Sequence, residues 1–355
     1  LPPPRILITV DPHLPVPPRF YGGIERIAAL LISELRKRGH PVGLVAHPES
    51  TEKADYFRSW PQLMPKTALA HAGNALALLR AIREYRPAVV RSFSRLAYLS
   101  PVLLQQTPKI MSYQRPVGGP KLAVAASLAR SLTFTGCSAF IANSGRRCGG
   151  KWYAVPNFVD TGRYEWTSVV ANDAPLVFLG RVESVKGAHI AIEVARRTGR
   201  RLLIAGTHAD GGPEERYWDS RIAPELDRNG IEYVGAVDDS TKSELLSSAW
   251  ALIVPIQWDE PFGIVFTEAL ACGTPVIACP RGAVPEIVRH GMEGFLVTDA
   301  DGACEAVNAI SRIDRAACRR RVEAEFSVAA VVPRYESIYA LALSERAHSP
   351  GAMAK

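Results

Sequence analysis

No stretch of this 355-residue chain approaches the ~18 uninterrupted apolar residues of a membrane-spanning helix, so a polytopic membrane protein is excluded while a peripheral one stays open. Cysteine is scarce. The six present (Cys137, Cys148, Cys272, Cys279, Cys304, Cys318) never stand as Cys-x-x-Cys, so neither a zinc ribbon nor a thioredoxin-like pair is expected. Most read as small buried apolar residues in a reducing compartment. The start, Leu1-Pro-Pro-Pro-Arg5, lacks the charged-then-apolar layout of a secretion signal, and the expected location is cytoplasmic or peripheral to the inner face of a membrane. Neither a Walker motif nor Gly-x-Gly-x-x-Gly occurs. There is no internal repeat and no low-complexity tract.

What is present fits a soluble globular chain of two domains, or one large one: 47% apolar and 22% charged residues over 355 positions. Charge is unevenly spread. Residues 1–165 hold 22 Lys and Arg against 9 Asp and Glu, a net +13, whereas residues 166–355 hold 20 against 26, a net −6. A basic half points to an anionic partner, or to a solvated surface that is rich in arginine. Nucleic acid is not expected, because no basic motif interleaved with aromatics and no known binding module is seen.

Short apolar runs alternate with helical patterns. Ile6–Val10 reads as a strand, and Ile24, Ile27, Ala28, Leu31 and Leu35 share one helix face closed by Gly39. Strands are expected at Val42–Ala46, Ala88–Val90, Lys109–Tyr113 and Ala139–Ala142. The turn-rich stretch 157–175 reads as a linker. Alternation then restarts, with strands at Leu176–Leu179, Leu202–Ala205, Ile231–Val234, Leu252–Pro255, Val276–Ala278 and Phe295–Val297. The pattern is two doubly wound parallel sheets, with a final helix over Val328–Arg346.

Three loops carry chemistry. In Trp258-Asp-Glu260-Pro-Phe262-Gly263-Ile264 a strand gives way to a helix, and Glu268 follows one turn in. Two carboxylates flanking a helix N-terminus are the wrong layout for one metal ion and suit hydroxyl recognition on either side of a bound phosphate. In Gly180-Arg181-Val-Glu-Ser-Val-Lys186-Gly187 two cations five residues apart can reach one pyrophosphate. In Phe20-Tyr-Gly22-Gly23 paired glycines allow close backbone approach to an anion. Each signal alone is also what an ordinary loop or helix start shows.

Together they resemble the retaining GT-B glycosyltransferases of family four, which include bacterial mannosyl- and glucosyltransferases and relatives of sucrose and glycogen synthases. The resemblance covers nearly the whole chain. It rests on the Glu-x7-Glu pair Glu260 and Glu268, Ala269–Val276, Gly282–Glu286, Gly180-Arg181 with Lys186-Gly187, Gly22-Gly23, Arg38-Gly-His40 and Val155-Pro-Asn157 before Val159-Asp160. It implies a GT-B fold of two Rossmann-like domains facing across a cleft. Residues 1–165 would form the acceptor domain, 166–327 the nucleotide-sugar domain, and 328–355 a helix crossing back to the first.

The resemblance also implies roles. Glu268 would hold ribose hydroxyls, and Arg181 and Lys186 would neutralise the diphosphate. Backbone N–H groups at Phe262, Gly263 and Ile264, with Glu260, would meet the sugar. Gly22 and Gly23 would close over the phosphates. Gln114 stands where the family often has His, and Arg91-Ser-Phe93 where it often has His-x-His. Gln bonds a hydroxyl but does not ionise near neutrality. The implied reaction is front-face transfer from a UDP-sugar, or a GDP- or ADP-sugar, with no metal and no cofactor. Asp299-Ala-Asp301 reads as a helix-capping turn instead of a metal site. The acceptor would be a hydroxyl compound, anionic if Arg80, Arg83, Arg86, Arg91, Arg95 and Arg115 serve it, or these would meet an anionic membrane. The loop Asp11–Arg19 is a further acceptor candidate. Rival readings are a nucleotide-sugar epimerase on the same fold, a two-lobed sugar-binding protein and, weakest, a dinucleotide oxidoreductase.

Overall fold

A computed structural model describes residues 2–19, 22–228 and 230–347. Phe20 and Tyr21, quoted above beside the glycine pair, lie outside them. The chain forms two compact units, Leu1–Asn157 with Val328–Lys355, and Phe158–Ser327.

In the first unit the order is β1 (Ile6–Thr9), α1 (Gly23–Lys37), β2 (Val42–Ala46), β3 (Tyr56–Ser59), α2 (Ala68–Tyr85), β4 (Val89–Ser92), β5 (Lys109–Tyr113), α3 (Pro120–Leu128), β6 (Leu132–Gly136), α4 (Ala139–Arg146) and β7 (Lys151–Ala154). Its sheet runs β3-β2-β1-β4-β5-β6-β7, all parallel. Helices on both faces bury β1 and β2 completely, which is why they read as unbroken apolar runs. The expected face of α1 is the buried one, with Ile27, Ala28, Leu31 and Leu35 all at 1% exposure or less. Truncating such a leucine to alanine would cost about 2–5 kcal/mol.

Two expectations are corrected. Ala139–Ala142 is the first turn of α4, not a strand. An apolar tetrad fits either element, and Ser138 settles it by accepting a bond from Ile141 N at 3.2 Å as an N-cap. The strand there is β6, just upstream. Arg91 is not a surface cation: it is 1% exposed, with its guanidinium over the rings of Phe93 at 4.9 Å and Tyr335 at 4.5 Å. It lies in β4, whose residues are all buried.

The second unit holds β8 (Leu176–Leu179), α5 (Ala188–Thr198), β9 (Leu202–Ala205), α6 (Gly212–Tyr217), β10 (Ile231–Gly235), α7 (Asp239–Ser248), β11 (Ala251–Val254), α8 (Ile264–Ala271), β12 (Val276–Ala278), α9 (Val284–Ile287), β13 (Gly294–Leu296), α10 (Ala300–Ala309) and α11 (Arg315–Glu325). Its parallel sheet runs β10-β9-β8-β11-β12-β13. Buried Arg315 ties the unit together. It donates to Thr167 O, Ala249 O, Ser247 O and Thr274 Oγ1 at 2.9–3.0 Å, so carbonyl dipoles and a hydroxyl stand in for a counter-ion.

The stretch after Asn157 is fastened, not slack. Val159 N donates to Phe326 O at 2.9 Å, and Arg319 donates to Thr161 O and Ala271 O at 3.0 and 2.7 Å. These ties hold Phe158 onward in the second unit, whereas the resemblance implied a boundary after 165. The last helix, α12 (Val328–Ala347), lies with the first unit and contacts α1. Arg38 and His40 both reach Glu336 on it, at 3.1 and 3.0 Å.

Candidate active site

In an open parallel sheet, ligands sit beyond the carboxyl ends of the strands where the strand order reverses. In the second unit that point lies between β8 and β11. The loops leaving those two strands carry Arg181 with Lys186 and Glu260 with Phe262 and Gly263. Gln257 N donates to Val185 O at 2.7 Å, which latches one loop to the other.

Lys186 and Glu260 meet. Glu260 Oε2 accepts from Lys186 Nζ at 2.6 Å and from Trp258 Nε1 at 3.0 Å, and the ammonium lies 5.1 Å from the Trp258 ring. Glu260 is 9% exposed. Both groups given to the donor are therefore paired to each other in this structure. Arg181 bonds its neighbour Glu183 and keeps 41% of its side chain exposed.

Backbone fixes the rest of this corner. Gly263 has φ +87° and precedes α8, and a Cβ there would lie 2.5 Å from Phe266. Lacking a side chain, it leaves the first N–H groups of α8 uncapped, where they can meet an anion. Gly282 has φ +61°, and a Cβ would stand 2.3 Å from Glu260 O, which accepts from Ala283 N at 2.8 Å. The turn at 282 thus holds the Glu260 backbone. The Phe262 ring packs edge-on to Phe326 at 6.0 Å and is 3% exposed, so this residue offers a ligand only its main chain.

Glu268 sits 6% exposed on α8. Its Oε1 accepts from Lys242 Nζ on α7 at 2.5 Å and from Tyr164 Oη at 2.9 Å. Both bonds end on one oxygen. Lys242, Tyr164 and Trp258 escaped the sequence reading. Trp258 lies inside the motif, but Lys242 and Tyr164 stand 26 and 104 residues from Glu268. Burial and the charge of Glu268 push the Cys272 thiol up to about 12, so it is no nucleophile.

In the first unit the reversal lies between β1 and β4. Thr9, Ser92 and Ser94 form a buried triangle of hydroxyls 2.9–3.0 Å apart at their ends. Just beyond, Asp11 Oδ2 accepts from Arg95 Nε at 3.3 Å, and Arg95 Nη2 lies 3.0 Å from His13 Nε2. Gly22 precedes α1 with φ +150°, and Gly23 opens the helix. Glu25 follows in the first turn, 6% exposed, and burial, with Asp11 adding repulsion, lifts its carboxyl to about 7. Gln114 Oε1 accepts from Asn157 Nδ2 at 2.8 Å, while the buried Asn157 Oδ1 has no partner. Asp299 caps α10 by accepting from Gly302 N at 2.8 Å, and Asp301 bonds Arg197 at 2.5 Å. Among the described residues, no three His, Cys, Asp or Glu side chains gather as metal ligands, and no helix is long and apolar enough to cross a membrane.

Residues 21–163 match the model of Glycosyltransferase Family 4, and residues 168–321 that of Glycosyl transferases group 1. A glycogen synthase of Mycobacterium tuberculosis is 26% identical over 365 residues, covering 87% of this chain and 86% of that one. Sucrose-phosphate synthase of Thermosynechococcus elongatus superposes with a TM-score of 0.80 at 19% identity, over 96% of this chain and 100% of the other. The Anabaena protein HepE, solved with UDP and glucose, superposes at 0.75 and 18% identity, over 95% and 99%. With both units matched in sequence and the GT-B fold shared, the chain belongs to the group 1 glycosyltransferases of family four.

Proposed function

We propose that this chain moves a glycosyl group from a nucleoside-diphosphate sugar, a UDP-sugar first among the candidates, to an acceptor hydroxyl with retention at the anomeric carbon. The carrying observation is the Lys186–Glu260 pair at the strand-order reversal of the second unit. A donor would exchange partners there. Its diphosphate would take Lys186 and the exposed Arg181, and its sugar hydroxyls would take Glu260, so no buried charge is stranded. Glu268, held through one oxygen, would offer the other to the ribose hydroxyls.

In front-face displacement the leaving phosphate oxygen helps remove the acceptor proton, and no enzymic nucleophile is needed. The residues' work is to stabilise charge growing on the diphosphate. Arg181, Lys186 and the uncapped start of α8 supply positive charge without a metal ion. The HepE complex with UDP and glucose supports the donor class by likeness of fold. The basic half, with Arg95 and Asp11 beyond the β1 and β4 ends, supports an acceptor bearing a phosphate or carboxylate. Contact with an anionic membrane would draw on the same charge, and sedimentation with anionic vesicles separates the two.

A thermal-shift screen of UDP-, GDP- and ADP-sugars tests the reading first, since a ligand at 100 times its Kd adds about 2.7 kcal/mol. NMR of the product should show the donor's anomeric configuration retained. Activity should survive EDTA, and loss restored only by Mg²⁺ or Mn²⁺ would refute metal independence. An epimer formed with no acceptor present would replace the transferase reading by its rival.

A further inference from the structure

The end of the first sheet opposite its reversal loops, where β1, β4 and β5 begin, carries a second charged feature. A cleft of about 420 Å³ opens there, lined by Arg5, Arg86 and Arg346 with Ile82, Pro87 and Thr107 among its walls. Arg5 precedes β1, Arg86 caps the C-terminus of α2, and Arg346 lies in the last turn of α12. No carboxylate lines the cleft, and among the described residues none of the three arginines makes an ion pair. Arg5 instead lies over the Tyr85 ring at 4.5 Å. Behind the wall, the buried Lys109 amine donates to Gln105 O and Thr107 O at 2.6 and 2.8 Å, and burial lowers its pKa to about 8.

A helix C-terminus welcomes one cation, which accounts for Arg86 and Arg346 singly. It does not account for their convergence with Arg5, which begins a strand. Arg86 is also held at φ +50°, the left-handed region where glycine or asparagine is the ordinary helix ending. The chain accepts backbone strain to keep a guanidinium at this spot. Three uncompensated guanidinium groups repel one another until an anion arrives, and each presents a fork matched to phosphate oxygens.

We propose that this cleft binds a phosphate-type dianion, at a site separate from the donor and acceptor loops. Its volume admits a diphosphate or a phosphorylated headgroup. The shared chemistry is phosphate, and its source is either a soluble compound or an anionic lipid.

Inorganic pyrophosphate binding to the full chain, measured by calorimetry in an Arg181→Ala background that weakens the second unit's loop, tests the site. Arg86→Gly relieves the positive φ and Arg346→Ala alters an exposed helix end, so both should fold, with melting curves as the check. The expected result is a pyrophosphate site weakened at least tenfold by either change and abolished by both, with kcat unaltered by Arg346→Ala in the otherwise wild-type enzyme. No such binding in the Arg181→Ala background, or binding indifferent to both changes, overturns the proposal. Sedimentation with phosphatidylglycerol and phosphatidylcholine vesicles then tells the sources apart. Arg86-dependent binding to the anionic vesicles, displaced by pyrophosphate, supports the site with a lipid headgroup as its ligand. Pyrophosphate binding without vesicle binding supports it with a soluble one.

Discussion

The two units share one architecture and differ in how the edge beyond their strand reversal is charged. In the second unit each acidic site residue is already matched to a lysine, Glu260 to Lys186 and Glu268 to Lys242. In the first unit that edge carries a hydroxyl triangle, a raised carboxyl at Glu25 and the half-exposed group of Asp11, Arg95 and His13. A fold therefore fixes where a ligand sits, while the polar groups on its loops decide which ligand. Balanced buried pairs suit a donor carrying both a diphosphate and hydroxyls. An edge of hydroxyls with one paired cation suits the variable acceptor proposed above.

The sharpest way to break this contrast is to unbalance the second unit. Lys186→Ala removes a cation from the proposed diphosphate site and leaves the buried Glu260 with only Trp258 as partner. A fall in kcat of roughly 100- to 1,000-fold is expected, the scale of losing one preorganised group that stabilises transition-state charge. Steady-state kinetics at saturating acceptor measures it. A variant whose kcat is intact would move the donor elsewhere.

Glu268→Ala comes next. It deletes a carboxylate that accepts charged hydrogen bonds, at about 1.5–3 kcal/mol of nucleotide affinity. Calorimetry with UDP, GDP and ADP should show the loss for one base series, with acceptor KM unmoved. Lys242→Met asks a finer question, because it keeps the carboxylate and removes the charge that orients it. A smaller loss than in Glu268→Ala is expected, and an equal one would make Lys242 as important as the carboxylate itself.

What could be read in advance follows from the same difference. Glu260, Gly263 and Glu268 lie within nine residues, and Arg181 and Lys186 within six, so local order alone displayed them. Lys242 and Tyr164 reach Glu268 only through folding, and the three hydroxyls of Thr9, Ser92 and Ser94 meet through the pairing of β1 with β4. No spacing rule announces such a meeting. Most strands and helices were legible because both sheets are covered on two faces, which writes strands as apolar runs and helices as 3.6-residue periods. The tetrad Ala139–Ala142 failed because four apolar residues carry no period, and its cap, Ser138, was the stronger signal. Arg91 failed because charge was read without burial.

A third test concerns pH and the first unit alone. The Glu25 carboxyl, raised from 4.5 to about 7, holds its proton in the folded chain after the unfolded chain has released it. Its contribution to stability is complete below pH 4.5, declines as pH rises towards 7, and is gone above. Glu25→Gln should remove that decline and stabilise the protein above pH 7, on the order of 3 kcal/mol. Urea melts between pH 5 and 8 measure it. Parallel pH curves for the two proteins would mean that Glu25 ionises as an ordinary surface carboxylate does.

The smallest expected effect is the one that separates the units most directly. Arg95 is about one-third and Asp11 about one-quarter exposed, so their pair is worth at most ~1 kcal/mol to folding. Arg95→Ala should leave the melting temperature nearly unchanged. If the acceptor is anionic and docks beyond β1 and β4, its KM should rise a few-fold while donor KM and kcat hold. The dependence of acceptor KM on ionic strength should flatten, because a charge met in solvent is screened by salt. Arg95→Lys should keep that salt dependence but lose part of the affinity, since an ammonium cannot form the guanidinium's paired bonds. A rise in donor KM instead would place the nucleotide-sugar against the first unit's reversal loops. The division of labour between a balanced donor edge and an open acceptor edge would then fail.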